Sequence, residues 1–214
     1  MSGLRPLGSG WEPLVVRAAE ALVTSIEPEA VAKLRGWLDA IATWNARIDL
    51  TAARDAKELV DLMVADALVL SAATPAGARV VDVGSGAGAP GLGIAILRPD
   101  LRVRLVEPLQ KRVAFLRTVL GTLGLPNATV LRDRGEALAD RGERFDVAIA
   151  RATLPPPEWL ALGARLAAPG GSVWVLLARE PAPTLPDWAC VEDRAYRWPH
   201  TQVERRALRY QRTT

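Results

Sequence analysis

Residues 80–97 read VVDVGSGAGAPGLGIAIL, and the order of residue types in this stretch decides the fold. An apolar run with Val80, Val81 and Val83 gives way to four glycines in eight residues, at Gly84, Gly86, Gly88 and Gly91. Apolar residues at helical spacing follow. A strand that turns through glycines into a helix lets a ligand approach backbone, because glycine has no Cβ to hold it off. The stretch therefore predicts a ligand site at the carboxyl end of a strand.

Downstream of Arg79 the same alternation repeats. Strand-like runs occur at ARVVDV, RVRLVE, ATVLR, FDVAIA and SVWVLLA, separated by the helix-like GLGIAIL, QKRVAFLRTVLGTLG, GEALADRG and PPEWLALGARLA. Strands alternating with helices of this length imply a parallel sheet covered on both faces. The tail adds WACVEDRAYRW and ERRALRYQRTT with no helix between them, which fits an antiparallel hairpin at the sheet edge. Upstream the pattern is helical. Leu34, Trp37, Leu38, Ile41 and Trp44 share one helical face, Val15, Ala19, Leu22 and Ile26 mark a helix over residues 13–25, and a third helix is expected over 56–71. The tryptophans of this part read as core. The expected organisation is a helical segment over 1–75 and a ligand-binding sheet domain over 76–214.

Composition narrows the class. A chain of 214 residues buries one substantial core plus a small appendage. A single cysteine, Cys190, excludes a disulfide framework and a cysteine-rich metal site, and no metal is expected. No apolar run is long and uninterrupted enough to anticipate a membrane segment, so the expectation is a soluble, cytoplasmic protein and a monomer. Residues 1–75 carry 7 Lys+Arg and 10 Asp+Glu, whereas residues 76–214 carry 20 and 14. The positive excess therefore lies with the glycine loop. It permits a polyanionic partner, and a solvated arginine-rich face accounts for it equally well.

Two ligands compete for the loop. Gly86, Gly88 and Gly91 satisfy the dinucleotide spacing, with Glu107 ending the next strand as a ribose acceptor. Gly84, Gly86 and Gly88 equally satisfy the G-x-G-x-G of S-adenosylmethionine-dependent enzymes. Three features favour the methyl donor. Asp82 suits an ammonium group or an ordered water and repels a pyrophosphate. Pro90 removes an N–H where a diphosphate needs donors. The hairpin-like tail after five strands departs from a six-stranded parallel dinucleotide fold.

Longer stretches carry a resemblance. WNARIDLTAARD (residues 44–55) resembles the WN-x-x-x-NLT-x-x-x-D of the RsmG/GidB family of bacterial small-subunit rRNA guanine-N7 methyltransferases. DVGSGAGAPG, VEPLQKRVAFLRTVLGTLGLPNATVLRDRGE and FDVAIARA are similar, in order, to that family's glycine loop, acidic strand end with Lys-Arg helix and Arg-x-Glu, and Arg-Ala. The resemblance implies a class I, Rossmann-like, mostly parallel seven-stranded α/β sheet with an N-terminal helical extension. It implies S-adenosylmethionine as cofactor and ribosomal RNA or the small subunit as partner. It also implies donor contacts at Gly84, Gly86, Glu107, Gly135, Glu136 and Arg151, and at the backbone of Ala89. Arg151 is the one residue expected to act in catalysis.

Departures fall on the acceptor side. LMVADA keeps the family's Asp as Asp66 but has Met63 and Ala67 for its His and Ser, and Arg179 is the nearest cation where the family has Lys-Gly. The alternatives are a diverged acceptor, either a small molecule or another RNA, and a non-catalytic RNA-binding module. Guanine N7 carries a free lone pair, so its methylation needs alignment more than a base. His200, the only histidine, reads as surface or packing. Cys190 lacks a Pro-Cys context, and LPPPEW reads as the start of a helix. Lys111, Arg112, Arg132 and Arg134 are candidate phosphate contacts, and solvated helix ends account for them almost as well.

Overall fold

The computed structural model describes residues 4–213. The helical part contains α1 (Glu12–Ala21), α2 (Pro28–Ile48), α3 (Ala56–Val60), a π turn (Asp61–Ala65) and α4 (Asp66–Ala73). There follow β1 (Arg79–Val83), α5 (Gly91–Leu97), β2 (Arg102–Val106), α6 (Gln110–Leu123), β3 (Ala128–Leu131), α7 (Gly135–Asp140), β4 (Phe145–Ala150), α8 (Pro156–Leu166) and β5 (Ala167–Leu177). A hairpin of β6 (Trp188–Arg197) and β7 (Glu204–Arg212) ends the chain.

The seven strands form one sheet in the order β3-β2-β1-β4-β5-β7-β6. The first five are parallel, and β7 runs antiparallel between β5 and β6. The chain winds outward from β1 to β2 and β3, then returns to place β4 on the other side of β1. That reversal opens a crevice at the carboxyl ends of β1 and β4, where sheets of this type hold ligands.

Alternation along the strands splits the core in two. Val80, Val103, Leu105, Val147 and Ile149 join one cluster with α2, α4, α5 and α6. Val81, Val83, Val106, Ala148 and Ala150 join the other with α7 and α8. Both faces of the sheet are thereby covered, which is why its strands read as nearly continuous apolar runs. The N-terminal helices share the first cluster with α5 and α6, so they rest directly on one face of the sheet.

Three boundaries differ from the sequence reading. α1 stops at Ala21 because Val23 takes a left-handed conformation (φ 54°), although Leu22 and Ile26 still pack on the core. The third helix runs to Ala73 and is interrupted by the π turn, a widening that hydrophobic spacing does not register. β5 begins at Ala167, ahead of the expected SVWVLLA, with a register shift opposite Phe145 and Val147. Among the described residues no helix is long and apolar enough to cross a membrane.

Candidate functional site

The loop of residues 84–90 is held from several sides. The N–H groups of Gly84 and Ser85 donate to the carbonyl of Val106, at 2.8 and 3.1 Å. The Gly86 N–H donates to Glu107 Oε2 at 2.9 Å, and the Trp37 indole N–H donates to the Ala87 carbonyl at 2.9 Å. Gly84, Gly86 and Gly88 have φ of 72°, 56° and 109°, a region that side-chain-bearing residues enter at a cost. The glycines are therefore required by the turn itself.

Over this loop lies a cavity of about 550 Å³, within the range of ordinary ligand sites. Gly84, Gly86 and Ala89 border it from below, with Glu107 and Arg112 on one side. Arg151 and Thr153 stand on another, and Leu50, Thr51, Leu62 and Met63 come from the helical part. The structure thus brings five of the anticipated residues, Gly84, Gly86, Ala89, Glu107 and Arg151, around one space.

Gly135 and Glu136 lie outside that space. Gly135 is buried, and a Cβ there would meet Val83 Cγ1 at 2.7 Å, so the glycine permits close helix-to-strand packing. Glu136 is exposed on the first turn of α7. Both sit beyond β3, the strand next to β2 along the same carboxyl edge.

Glu107 is only 2% exposed, and each carboxylate oxygen accepts one backbone N–H, from Gly86 and from Leu109 (2.9 Å each). These bonds fix its orientation and leave lone pairs for a diol. Arg151 Nη1 donates to the carbonyl of Leu62 and to Asp66 Oδ2. The ionisable side chains that border the cavity are Glu107, Arg112 and Arg151. No histidine or cysteine is among them, and the one carboxylate is held by two backbone N–H groups.

Asp82 requires a correction. Its side chain is fully buried beneath the loop and does not border the cavity, so it meets no ammonium group there. Instead Oδ2 accepts the Gly91 N–H at 3.0 Å, while Oδ1 has no partner among the described residues. Burial pushes this carboxyl up to about 7. The bond to Gly91 takes the first N–H of α5 away from any ligand.

The sequence reading missed the wall made by Thr51 and Thr153. Asn45 supplies the signal for the first. Its Oδ1 accepts the N–H groups of Leu50 and Thr51 (2.8 Å each), and its Nδ2 donates to the Thr51 carbonyl at 3.2 Å. The Trp-Asn…Leu-Thr motif therefore encodes a turn after α2 that presents residues 50–52 to the cavity. Thr153 Oγ1 donates to the Val83 carbonyl at 3.1 Å, closing the space above Gly84. Of the acceptor-side departures, Met63 borders the cavity, whereas Ala67 packs under Gly93, where a Cβ would meet its own at 2.6 Å.

Residues outside the cavity have ordinary roles. His200 Nε2 lies 3.0 Å from the Leu14 carbonyl, and Cys190 is exposed on β6. Pro156 opens α8, and Trp159 is buried with its indole N–H on the Trp174 carbonyl at 2.8 Å. Among the described residues no three His, Cys, Asp or Glu side chains gather as a metal site would need. Lys111 and Arg134 are exposed, and no ion pair engages Lys111, Arg112, Arg132 or Arg134 among the described residues.

Known proteins resemble this chain in sequence and in fold. The model of the family described as rRNA small subunit methyltransferase G matches residues 30–185. A ribosomal RNA small subunit methyltransferase G of Halorhodospira halophila is 40% identical over 157 residues, covering 73% of this chain and 74% of the relative. One of Anaeromyxobacter sp. (strain Fw109-5) is 34% identical over 165 residues, covering 77% of each. Among solved structures, the putative methyltransferase yhhF from Escherichia coli superposes with a TM-score of 0.57 at 18% identity, covering 78% of this chain and 92% of that one. An MtNAS mutant in complex with S-adenosylmethionine gives 0.54 at 15%, covering 95% and 73%.

Proposed function

The chain belongs to the rRNA small subunit methyltransferase G family, and from that premise we propose that its cavity transfers a methyl group from S-adenosylmethionine to guanine N7. The family's reaction is S-adenosylmethionine-dependent methylation of ribosomal RNA, and the fold is that of class I methyltransferases. The observation that carries the finer reading is the cavity itself. A buried, oriented carboxylate that suits the hydroxyls of a ribose stands on one side, and a guanidinium that suits a nucleobase edge or a phosphate on another.

In this reading Glu107 would accept the ribose hydroxyls of the donor, and the backbone of residues 84–89 would hold its methionine portion. Gly135 and Glu136, at the same carboxyl edge beyond β3, would hold the adenine. Residues 76–214 hold the donor, and residues 1–75 lend the wall at Leu50, Thr51 and Met63. The donor supplies a sulfonium methyl, and guanine N7 attacks it in line with its lone pair. Positive charge passes from sulfur to the purine without a proton leaving N7, so alignment is the main catalytic task. The unengaged donors of Arg151 orient the base through O6 or an adjoining phosphate. Lys111, Arg112, Arg132 and Arg134 engage the RNA backbone.

A second reading follows from Met63, which puts an apolar thioether at the cavity where the family has a histidine: the donor site is retained and the acceptor has diverged. Calorimetric titration with S-adenosylmethionine, paired with mapping of modified nucleotides in small-subunit RNA, separates the two. Donor binding with a new 7-methylguanosine supports the first; donor binding with a methyl group elsewhere supports the second.

A further inference from the structure

Two carboxylates flank the π turn, and both are removed from water. Asp61 is fully buried, and Asp66 is 2% exposed. The same distant stretch of chain reaches both. Asp61 accepts the N–H of His200 at 3.1 Å and the N–H and hydroxyl of Thr201 at 2.7 Å each. Asp66 Oδ1 accepts the Tyr196 hydroxyl at 2.7 Å and the Trp198 indole N–H at 3.1 Å, while Oδ2 accepts Arg151 Nη1 at 3.1 Å. The corner between β6 and β7 is thus fastened to the helix that walls the cavity.

A buried carboxylate persists only when its lone pairs are met, and here one guanidinium and two neutral donors meet them. Burial, and the nearby Asp66 charge after it, push the Tyr196 hydroxyl far above its ordinary range, so it stays protonated and donates. The consequence falls on Arg151. The backbone of β4 fixes where this side chain starts, but a long guanidinium side chain has many rotamers. The Leu62 carbonyl and Asp66 Oδ2 select one of them by taking Nη1. Nε and Nη2 have no partner among the described residues and are not sealed from solvent, which leaves them to the cavity that Arg151 borders. Asp66 in turn could rotate about its own side-chain bonds, and the two donors on Oδ1 prevent that.

We propose that Tyr196 and Trp198 are positioning residues for methyl transfer, fixing the Arg151 guanidinium at the cavity through Asp66. The C-terminal hairpin then sets the alignment of a site built far upstream in the chain. This rests on the cavity being the methyl-transfer site. A purely structural role for the same bonds would stabilise the hairpin corner without coupling to Arg151, and that difference can be measured.

The test uses the full chain with Tyr196→Phe and Trp198→Phe, singly and together, in the wild-type and Arg151→Ala backgrounds. Three quantities are read: single-turnover methyl transfer to small ribosomal subunits, S-adenosylmethionine affinity, and the rate at which phenylglyoxal modifies Arg151, mapped by mass spectrometry. In the wild-type background the pair should slow transfer about tenfold, since small misplacements of an aligning group are costly. Donor Kd should change less than the transfer rate, because Glu107 and the glycine loop, which these variants do not touch, carry most of the donor contacts. Arg151 modification should accelerate in the pair. In the Arg151→Ala background the pair should cost nothing further. Tyr196→Phe alone removes one hydroxyl, and a loss of about threefold keeps the test open if the pair folds poorly. Equal losses in both backgrounds, or unchanged modification of Arg151, overturn the proposal. If the wild type methylates no ribosomal RNA, the reading of the acceptor fails, and the modification rates still decide this one.

Discussion

Glu107 Oε2 accepts the N–H of Gly86 at 2.9 Å, so the carboxylate that ends one strand braces the glycine loop that follows its neighbour. Because Oε1 is taken by the Leu109 N–H, the group is oriented before any ligand arrives. Glu107→Ala should weaken S-adenosylmethionine by roughly 1–3 kcal/mol, the loss of a charged acceptor plus a looser loop. Calorimetry measures this directly, and an unchanged Kd would remove Glu107 from the donor site.

Gly84 is constrained twice, by its φ of 72° and by Thr153, whose Oγ1 would lie 2.3 Å from an added Cβ. Gly84→Ala should cost roughly 1–3 kcal/mol of stability through strain alone. Combining it with Thr153→Gly should recover part of the loss in thermal melts, because that change relieves the collision and not the backbone angle. Full recovery would mean that φ carries no cost here.

Asn45→Ala removes the acceptor for two backbone N–H groups and a donor to a third backbone group. The expected destabilisation is about 1–3 kcal/mol. The turn that presents Thr51 should loosen, and hydrogen exchange over residues 49–53 reports it. Protection equal to the wild type would show that the turn stands without Asn45.

Asp82 gives a pH signature. Unfolded, its carboxyl ionises near the ordinary value of 3.8; folded, near 7. Between these values the folded chain binds more protons than the unfolded chain, so stability falls as pH rises from about 4 to about 7. The fully ionised buried group costs up to about 4 kcal/mol. Asp82→Asn should flatten that part of the profile, seen as a smaller difference between denaturant midpoints at pH 4.5 and 7.5. Parallel profiles for the two proteins would remove Asp82 as the cause.

Legibility in the sequence followed the range of the interactions. The strand, loop and helix order around Gly84 was readable because burial on both sheet faces writes itself locally as valine-rich runs broken by glycine. The edge hairpin was readable from two strand patterns with no helix between them. The reach of Trp37 to Ala87, and of Tyr196 and Trp198 to Asp66, left no local trace, since each joins residues 50 or more positions apart. The direction in which Asp82 points was not legible. A carboxylate after a valine run indicates acidity near the loop, but not whether it points up to a ligand or down to the Gly91 N–H. The π turn escaped because residues 63–71 are buried on every side, so the sequence carries no one-sided apolar stripe whose break would mark it.

The proposed reaction is methyl transfer from S-adenosylmethionine to guanine N7 of small-subunit RNA, aligned by Arg151. Its most direct test is chemical cleavage at 7-methylguanosine in RNA from small subunits incubated with the protein and donor, run in parallel with Arg151→Ala. One new cleavage site is expected with the wild type, its yield falling as salt screens the phosphate contacts. With Arg151→Ala that site should be reduced at least about a hundredfold in rate, as loss of an aligning group would produce. Tight donor binding with no new cleavage site in naked RNA or assembled subunits would contradict it.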